Sequence, residues 1–182
     1  MSSKKLLILD RDGTLNKDHN GYSHDMRSCS LFDDVYKLFE MIDTIINICV
    51  VTNQSGIGRG LYKESHMHEF NAQINKLIKL KTKHNGIKKF FFCPHKPSEN
   101  CECRKPKNKL VIEALNFFNC EAKNAILIGD KISDCIAGIS AGVDSYLLQR
   151  DDQIFDYSKD LNPIKTIKSL DSNLLHPFLS KD

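Results

Sequence analysis

Short apolar runs alternate with helix-period segments along this chain, and that alternation limits the fold more than any other feature. The runs are Leu6 to Leu9, Ile48 to Val51, Phe90 to Phe92, Ala125 to Ile128 and Tyr146 to Leu148, and they read as buried strands. Between the first two, Val35, Leu38, Phe39, Ile42 and Ile46 recur at three- and four-residue steps, which predicts a helix over 33–46. Met67, Phe70, Ile74, Leu77 and Ile78 repeat the pattern in the next interval, and Leu110, Ile112, Ala114, Leu115 and Phe118 in the third. Parallel strands need a crossover between each pair, usually a helix, so the expected class is α/β with a doubly wound, Rossmann-like parallel sheet. A chain of 182 residues supports one substantial core, so a single domain over 1–182 is expected, with a last short strand near 164–167.

In such sheets ligands bind outside the carboxyl ends of the strands. The first run ends at Asp10 and Asp12, the second at Thr52 and Asn53, and the fourth at Gly129 and Asp130, with Asp134 one helical turn on. One aspartate at a strand end is most simply a helix cap. Acids from several strand ends repel one another unless a cation sits among them, and magnesium suits few carboxylates plus water and phosphate oxygens. Within Asp10-Arg11-Asp12, alternate residues of an extended segment face the same way, so one acid can attack while the other handles a proton. Gly13 then supplies a tight turn and Thr14 a hydroxyl near the site.

Cys93, His95, Cys101 and Cys103 form a second constellation, a Cys-x-His and a Cys-x-Cys five residues apart. Three thiols and one imidazole on two turns can close a tetrahedral zinc site, with no position left for substrate and hence a structural role. The competing reading is free thiols and a surface histidine. If zinc binds, the loop 93–103 orders Arg104 and Lys105, which follow it directly.

D-R-D-G-T at 10–14, V-V-T-N-Q-S at 50–55, Lys105 in R-K-P-K and G-D-K-I-S-D at 129–134 together resemble the four motifs of the haloacid dehalogenase superfamily of phosphohydrolases. The resemblance implies Asp10 as nucleophile, Asp12 as general acid and then base, and Thr52 and Lys105 as holders of the transferring phosphoryl group. It implies magnesium on Asp10, Asp130 and the Asp12 backbone carbonyl, with Asp134 in support. The physical demand agrees, since phosphoryl transfer is mainly positioning and charge neutralisation.

Within that superfamily, T-N-Q-S-G-I-G-R-G at 52–60, Gly21-Tyr22 and G-D-K at 129–131 resemble the D-glycero-D-manno-heptose 1,7-bisphosphate 7-phosphatases. The short zinc loop and R-K-P-K-N-K-L-V at 104–111 resemble the histidinol-phosphate phosphatases instead. The stretch after Thr52 lies beside the reacting phosphate and weighs more, so the expected substrate is a small phosphorylated sugar, a heptose bisphosphate. Asn53, Gln54, Ser55, Gly21, Tyr22 and, by resemblance, Arg104 are the expected substrate contacts; Arg59 is a second candidate cation for the other phosphate. The connection from Leu15 to Leu31 is too short for a cap domain, leaving an open site walled by the zinc loop and residues 16–25, which include His19, Tyr22 and His24.

Twenty-six Lys and Arg against 23 Asp and Glu give a formal charge of only +3, and the cluster from Lys76 to Lys89 falls mostly on a helix whose apolar stripe lies elsewhere. A nucleic-acid end phosphatase therefore lacks the basic, aromatic-studded groove it needs. Gly56, Gly58 and Gly60 match neither the dinucleotide fingerprint nor the P-loop. With no long apolar segment and seven mostly unclustered cysteines, the expectation is a cytoplasmic monomer that engages neither membrane nor nucleic acid.

Overall fold

The computed structural model describes residues 4–18, 21–150 and 164–179; His19 and Asn20 lie outside them. Six strands form one sheet: β1 (Leu6–Leu9), β2 (Asn47–Asn53), β3 (Lys89–Cys93), β4 (Ala125–Gly129), β5 (Asp144–Leu148) and β6 (Lys165–Ile167). Their order is β3-β2-β1-β4-β5-β6 and every ladder is parallel. The five expected strands and the short sixth are all present. All four residues of β1 and all five of β4 are buried, as a sheet covered on both faces requires.

The helices are α1 (Asp33–Met41), the single turn α2 (Ser55–Gly58), α3 (Glu64–Lys81), α4 (Lys109–Phe118), α5 (Ile132–Ser140) and α6 (His176–Leu179). Alternation along the strands sorts the core into two layers. Leu7, Leu9 and Val50 pack with Val35, Leu38, Phe39, Phe70 and Ile74 of α1 and α3. Leu6, Ile8, Val51 and Leu127 pack with Val111, Ala114, Leu115 and Ala137 of α4 and α5.

One helix is shorter than its periodicity predicts: α1 stops at Met41, not Ile46. Asp43 accepts a hydrogen bond from the Ile45 N–H at 3.2 Å, and the Asp43 N–H donates to the Leu179 carbonyl at 3.1 Å. A short acidic side chain thus offers the backbone a turn in place of another helical bond. Ile42 and Ile46 remain buried, so their apolar spacing reports burial rather than helix.

Candidate active site

The strand order reverses between β1 and β4, and the crevice outside their carboxyl ends is where such a fold places a ligand. The Asp10 N–H donates to the Ile128 carbonyl at 2.9 Å, extending the β1–β4 pairing one residue and fixing Asp10 at the rim. Gly13 follows with φ +90°; a Cβ there would collide with the Asp130 carboxylate, so the turn brings the end of β1 against the end of β4. The Thr14 hydroxyl donates to Asp130 Oδ1 at 3.4 Å.

At the centre is a buried cation among acids. Lys105 Nζ donates to Asp10 Oδ1 at 2.7 Å and to the Val51 carbonyl at 2.6 Å, and pairs with Asp134 Oδ1 at 2.6 Å. The Lys105 backbone is held by Asn53, whose side chain accepts from the Lys105 N–H at 3.1 Å and donates to its carbonyl at 3.2 Å. Asp134 Oδ2 accepts from the Lys131 N–H at 3.0 Å, which fixes the carboxylate at the start of α5.

These charges set one another's protonation. Burial pushes the Asp10 carboxyl up, but the charge and hydrogen bond of Lys105 outweigh it and leave it below the usual range. Asp130 has, among the described residues, only a long ion pair with Lys131, at 3.9 Å: burial first, then the charge of Asp10, raises it to about 7 against that weaker pull. Asp134 is raised chiefly by burial, opposed by Lys105. Oxygens of Asp10, Asp130 and Asp134 lie within 4.8 Å of one another, a set of hard donors whose mutual repulsion a divalent cation would relieve. Both oxygens of Asp134 are engaged, by Lys105 and by the Lys131 N–H, whereas Lys105 takes only Oδ1 of Asp10, which leaves Asp10 and Asp130 as the freer ligands.

Asp12 faces the same pocket by a different route from the one the sequence suggested. Because β1 ends at Leu9, Asp12 sits in an isolated bridge to Asn16 at the mouth of the 13–15 turn rather than on the strand, and its carboxylate is held by side chains. Arg11 Nε and Nη2 donate to its two oxygens at 3.1 and 2.9 Å, Asn16 Nδ2 donates at 3.0 Å, and Gln54 Nε2 at 2.8 Å. Gln54 also donates to Thr52 Oγ1 at 3.0 Å and accepts from the Tyr62 hydroxyl at 2.7 Å.

A pocket of ≈ 370 Å³ is lined by Asp10, Asp12, Asp18, Gly21, Tyr22, Thr52, Asn53, Ser55, Arg104, Lys105, Lys131, Ser133 and Asp134. Of the residues expected to touch substrate, Gly21, Tyr22, Asn53, Ser55 and Arg104 are in this wall. Gln54, 1% exposed, lies behind it as a support for Asp12 and Thr52. Arg59 is exposed and outside the lining, which corrects its place as a second pocket cation. Lys131, exposed as well, lines the pocket instead, with its Nζ 3.9 Å from Asp130 Oδ2. Its position directly after Asp130 was the available signal. Arg11, Asn16 and Asp18 carried no separate signal in the sequence.

The four expected metal-loop residues converge. Sγ of Cys93 lies 3.6 Å from His95 Nδ1 and 3.5 Å from Cys101 Sγ; Cys103 Sγ lies 3.3 Å from His95 Nδ1 and 3.6 Å from Cys101 Sγ. A tetrahedron built on zinc–sulfur and zinc–nitrogen bonds has edges of about 3.5–3.8 Å, so the donor set fits that ion. The loop also braces the pocket: the Gln54 N–H donates to the Cys93 carbonyl at 2.7 Å, Gly58 N–H to Pro94 at 2.9 Å, and Arg104 Nη1 to His95 at 3.3 Å.

Comparison with known proteins bears on the family and the fold. A family model described as haloacid dehalogenase-like hydrolase matches residues 71–148. A Campylobacter jejuni protein named D-glycero-alpha-D-manno-heptose-1,7-bisphosphate 7-phosphatase is 34% identical over 192 residues, covering 98% of each chain. A Helicobacter pylori protein named for the beta form of that sugar is 34% identical over 81% of this chain and 84% of its own. Among solved structures, a D,D-heptose 1,7-bisphosphate phosphatase from B. bronchiseptica complexed with magnesium and phosphate superposes with a TM-score of 0.78, at 21% identity, over 92% of this chain and 94% of that one. That likeness speaks for the fold, whereas the match to the Campylobacter protein is above 30% identity over nearly the whole chain. The chain therefore belongs to the D-glycero-D-manno-heptose 1,7-bisphosphate 7-phosphatase family of haloacid dehalogenase-like hydrolases.

Proposed function

We propose that this protein hydrolyses the C7 phosphate of D-glycero-D-manno-heptose 1,7-bisphosphate by way of a phosphoryl group carried on Asp10. The observation that carries the reading is the buried Asp10–Lys105–Asp134 cluster facing Asp130 at the β1/β4 switch point, in a chain that matches the Campylobacter enzyme end to end.

The free Asp10 oxygen attacks phosphorus while the bond to the sugar oxygen breaks, and the departing oxygen takes a proton from Asp12. Water then attacks the phosphoryl group, Asp12 takes its proton, and the bond to Asp10 breaks to restore the carboxylate. Lys105 keeps Asp10 ionised and, with Thr52, faces the phosphoryl oxygens. Magnesium, held by Asp10, Asp130 and the Asp12 carbonyl, would neutralise charge on those oxygens. Zinc on Cys93, His95, Cys101 and Cys103 would be structural, fixing the wall that carries Arg104. Arg104 and Lys131, both in the pocket wall, would be the cations for the second phosphate, and Asp18, Tyr22 and Ser55 would offer partners to sugar hydroxyls.

The test is phosphate release with magnesium from the α and β heptose 1,7-bisphosphates and from histidinol phosphate. A preference of about a hundredfold or more in kcat/KM for one bisphosphate supports the reading and names the anomer. The reverse preference overturns it.

A further inference from the structure

Arg11 stands between the two acids of the first motif, and its side chain is fully buried. A buried guanidinium is costly unless it is paired, and here each of its three nitrogens has at least one acceptor. Nε and Nη2 form a two-point fork on Asp12, Nη2 also donates to the Ser23 carbonyl at 2.6 Å and Gln54 Oε1 at 2.9 Å, and Nη1 donates to Asn71 Oδ1 at 3.1 Å. The guanidinium carbon lies 4.8 Å from the centre of the Phe70 ring. Asn71 is itself oriented: its Nδ2 donates to Met67 Sδ at 2.9 Å, which leaves Oδ1 for Arg11. The plane of the guanidinium is thus set by three residues of α3, and through the fork that plane sets the plane of the Asp12 carboxylate.

The hydrogen-bond inventory of Asp12 sharpens the point. A carboxylate has about four acceptor sites, and four donor contacts already reach this one. To exchange a proton with the pocket, one donor must yield. Gln54 Nε2 spends its two hydrogens on Asp12 and Thr52 Oγ1, whereas Asn16 Nδ2 has three acceptors for two hydrogens, the Lys17 carbonyl at 3.3 Å and Ser23 Oγ at 3.2 Å besides Asp12, so this neutral amide can let go at little cost. Nη2 of Arg11 shares its two hydrogens among three acceptors, but Nε has only Asp12 as its acceptor among the described residues, and both contacts carry charge, so the fork is the contact that stays.

We propose that Arg11 is a positioning residue for proton transfer: it holds the Asp12 carboxylate at the pocket wall in one orientation while a neutral amide gives up its acceptor site. The proposal rests on Asp12 being the general acid and base. It places on α3, outside the reacting groups, part of what fixes the geometry of catalysis.

The test uses p-nitrophenyl phosphate with magnesium under rapid mixing. Its leaving group departs without a proton, so phosphorylation of Asp10 proceeds without Asp12, whereas the release of phosphate still needs a base. Arg11→Lys keeps a charge and loses the fork. It should release about one nitrophenolate per chain in a burst and then turn over at least about tenfold more slowly than wild type, a modest part of the usual worth of a positioned base. A steady rate within about threefold of wild type, or burst and steady rates falling by the same factor, would overturn the proposal, since general damage does not separate the two steps. Asp12→Asn, measured alongside, should show the same burst. Wild-type turnover there would remove Asp12 from its role and this proposal with it, whereas a burst in Asp12→Asn without one in folded Arg11→Lys would remove only the role of Arg11. If thermal melting shows that Arg11→Lys does not fold, Asn71→Leu carries the test, because it frees the far edge of the guanidinium without touching Asp12. The same separation of steps, at about three- to tenfold, supports the proposal, and unchanged kinetics overturn it.

Discussion

Lys105 Nζ lies 2.7 Å from Asp10 Oδ1, and the two side chains are only 3% and 6% exposed, so the nucleophile candidate and its counter-charge are one buried pair. Removing the cation leaves Asp10 and Asp134 facing each other across the space it filled. Lys105→Met should therefore lower the stability of the metal-free protein by about 3–5 kcal/mol, the usual cost of stranding a buried charge. Urea unfolding checks this, and kcat/KM should fall by at least about a thousandfold because phosphoryl transfer also loses its positive partner. Stability within about 1 kcal/mol of wild type would mean that the pair is better solvated than its burial implies.

Asp10→Asn separates chemistry from structure. The amide keeps the shape but is not a nucleophile, so turnover should drop below about a hundredth of wild type while the fold persists. Phosphate release gives the first quantity and circular dichroism the second. The Asp134–Lys105 bridge remains in this variant, which is why the fold should survive.

How much of this was legible in the sequence follows from how each feature is encoded. The strands and the convergence of the candidate catalytic and metal residues could be read because apolar runs and short motifs are local patterns, and the strand-end rule gathers them without coordinates. Arg11 could not. Its neighbours Asn71, Gln54 and Ser23 lie 60, 43 and 12 residues away, and nothing in D-R-D says which way the arginine turns. Arg59 and Lys131 failed in opposite directions for a related reason. Both are basic residues beside motifs, and only the end of α2 and the start of α5 decide which one reaches the pocket.

Magnesium affinity should depend on pH through Asp130. In the unfolded chain this carboxyl loses its proton near the ordinary value of 3.8, whereas in the folded, metal-free protein it does so at about 7. Its contribution therefore disfavours the fold increasingly as pH rises from about 4 to about 7, and a cation relieves that penalty by replacing the proton. Between pH 5 and 7 the dissociation constant for magnesium should fall by about tenfold per unit and level off above, as loss of one proton requires. Titration calorimetry at four pH values checks this. A flat profile would show that the ion does not displace the Asp130 proton.

The zinc loop makes a prediction in which metal content and catalysis part company. Without metal the cluster shares protons: burial raises the Cys93 thiol, while Cys101, also burdened by burial, is brought down to about 7 by the sulfur and backbone donors around it. Elemental analysis of protein purified without chelator should give about one zinc per chain, and Cys103→Ser should reduce it to near zero. Because Arg104 leans on the His95 carbonyl, the loss should raise KM for a bisphosphate more than it lowers kcat. Metal analysis finding no zinc would refute the site; a loss of kcat alone would refute the link to Arg104.

Arg150 ties the far side of the catalytic turn to the C-terminal segment. Its Nη1 and Nη2 donate to the Gly13 and Thr14 carbonyls at 2.7 and 2.8 Å, and its Nε and Nη2 reach the two oxygens of Asp34 at 3.0 and 2.8 Å. Asp34 Oδ2 also accepts from the Leu170 N–H at 3.0 Å, so one ion pair joins the turn after Asp12, the start of α1 and the chain beyond β6. Arg150→Gln should cost about 2–4 kcal/mol, much of it from stranding Asp34, and should lower kcat about tenfold because the turn carrying the Asp12 carbonyl loses its clamp. Asp34→Asn in the same chain removes the stranded charge. The double variant should therefore recover part of the stability, measured by urea unfolding, and none of the kcat, since the two carbonyls are still unheld. If instead the two substitutions add, Asp34 and Arg150 do not act as a pair; if kcat recovers with stability, the turn is held by the overall fold and not by the arginine.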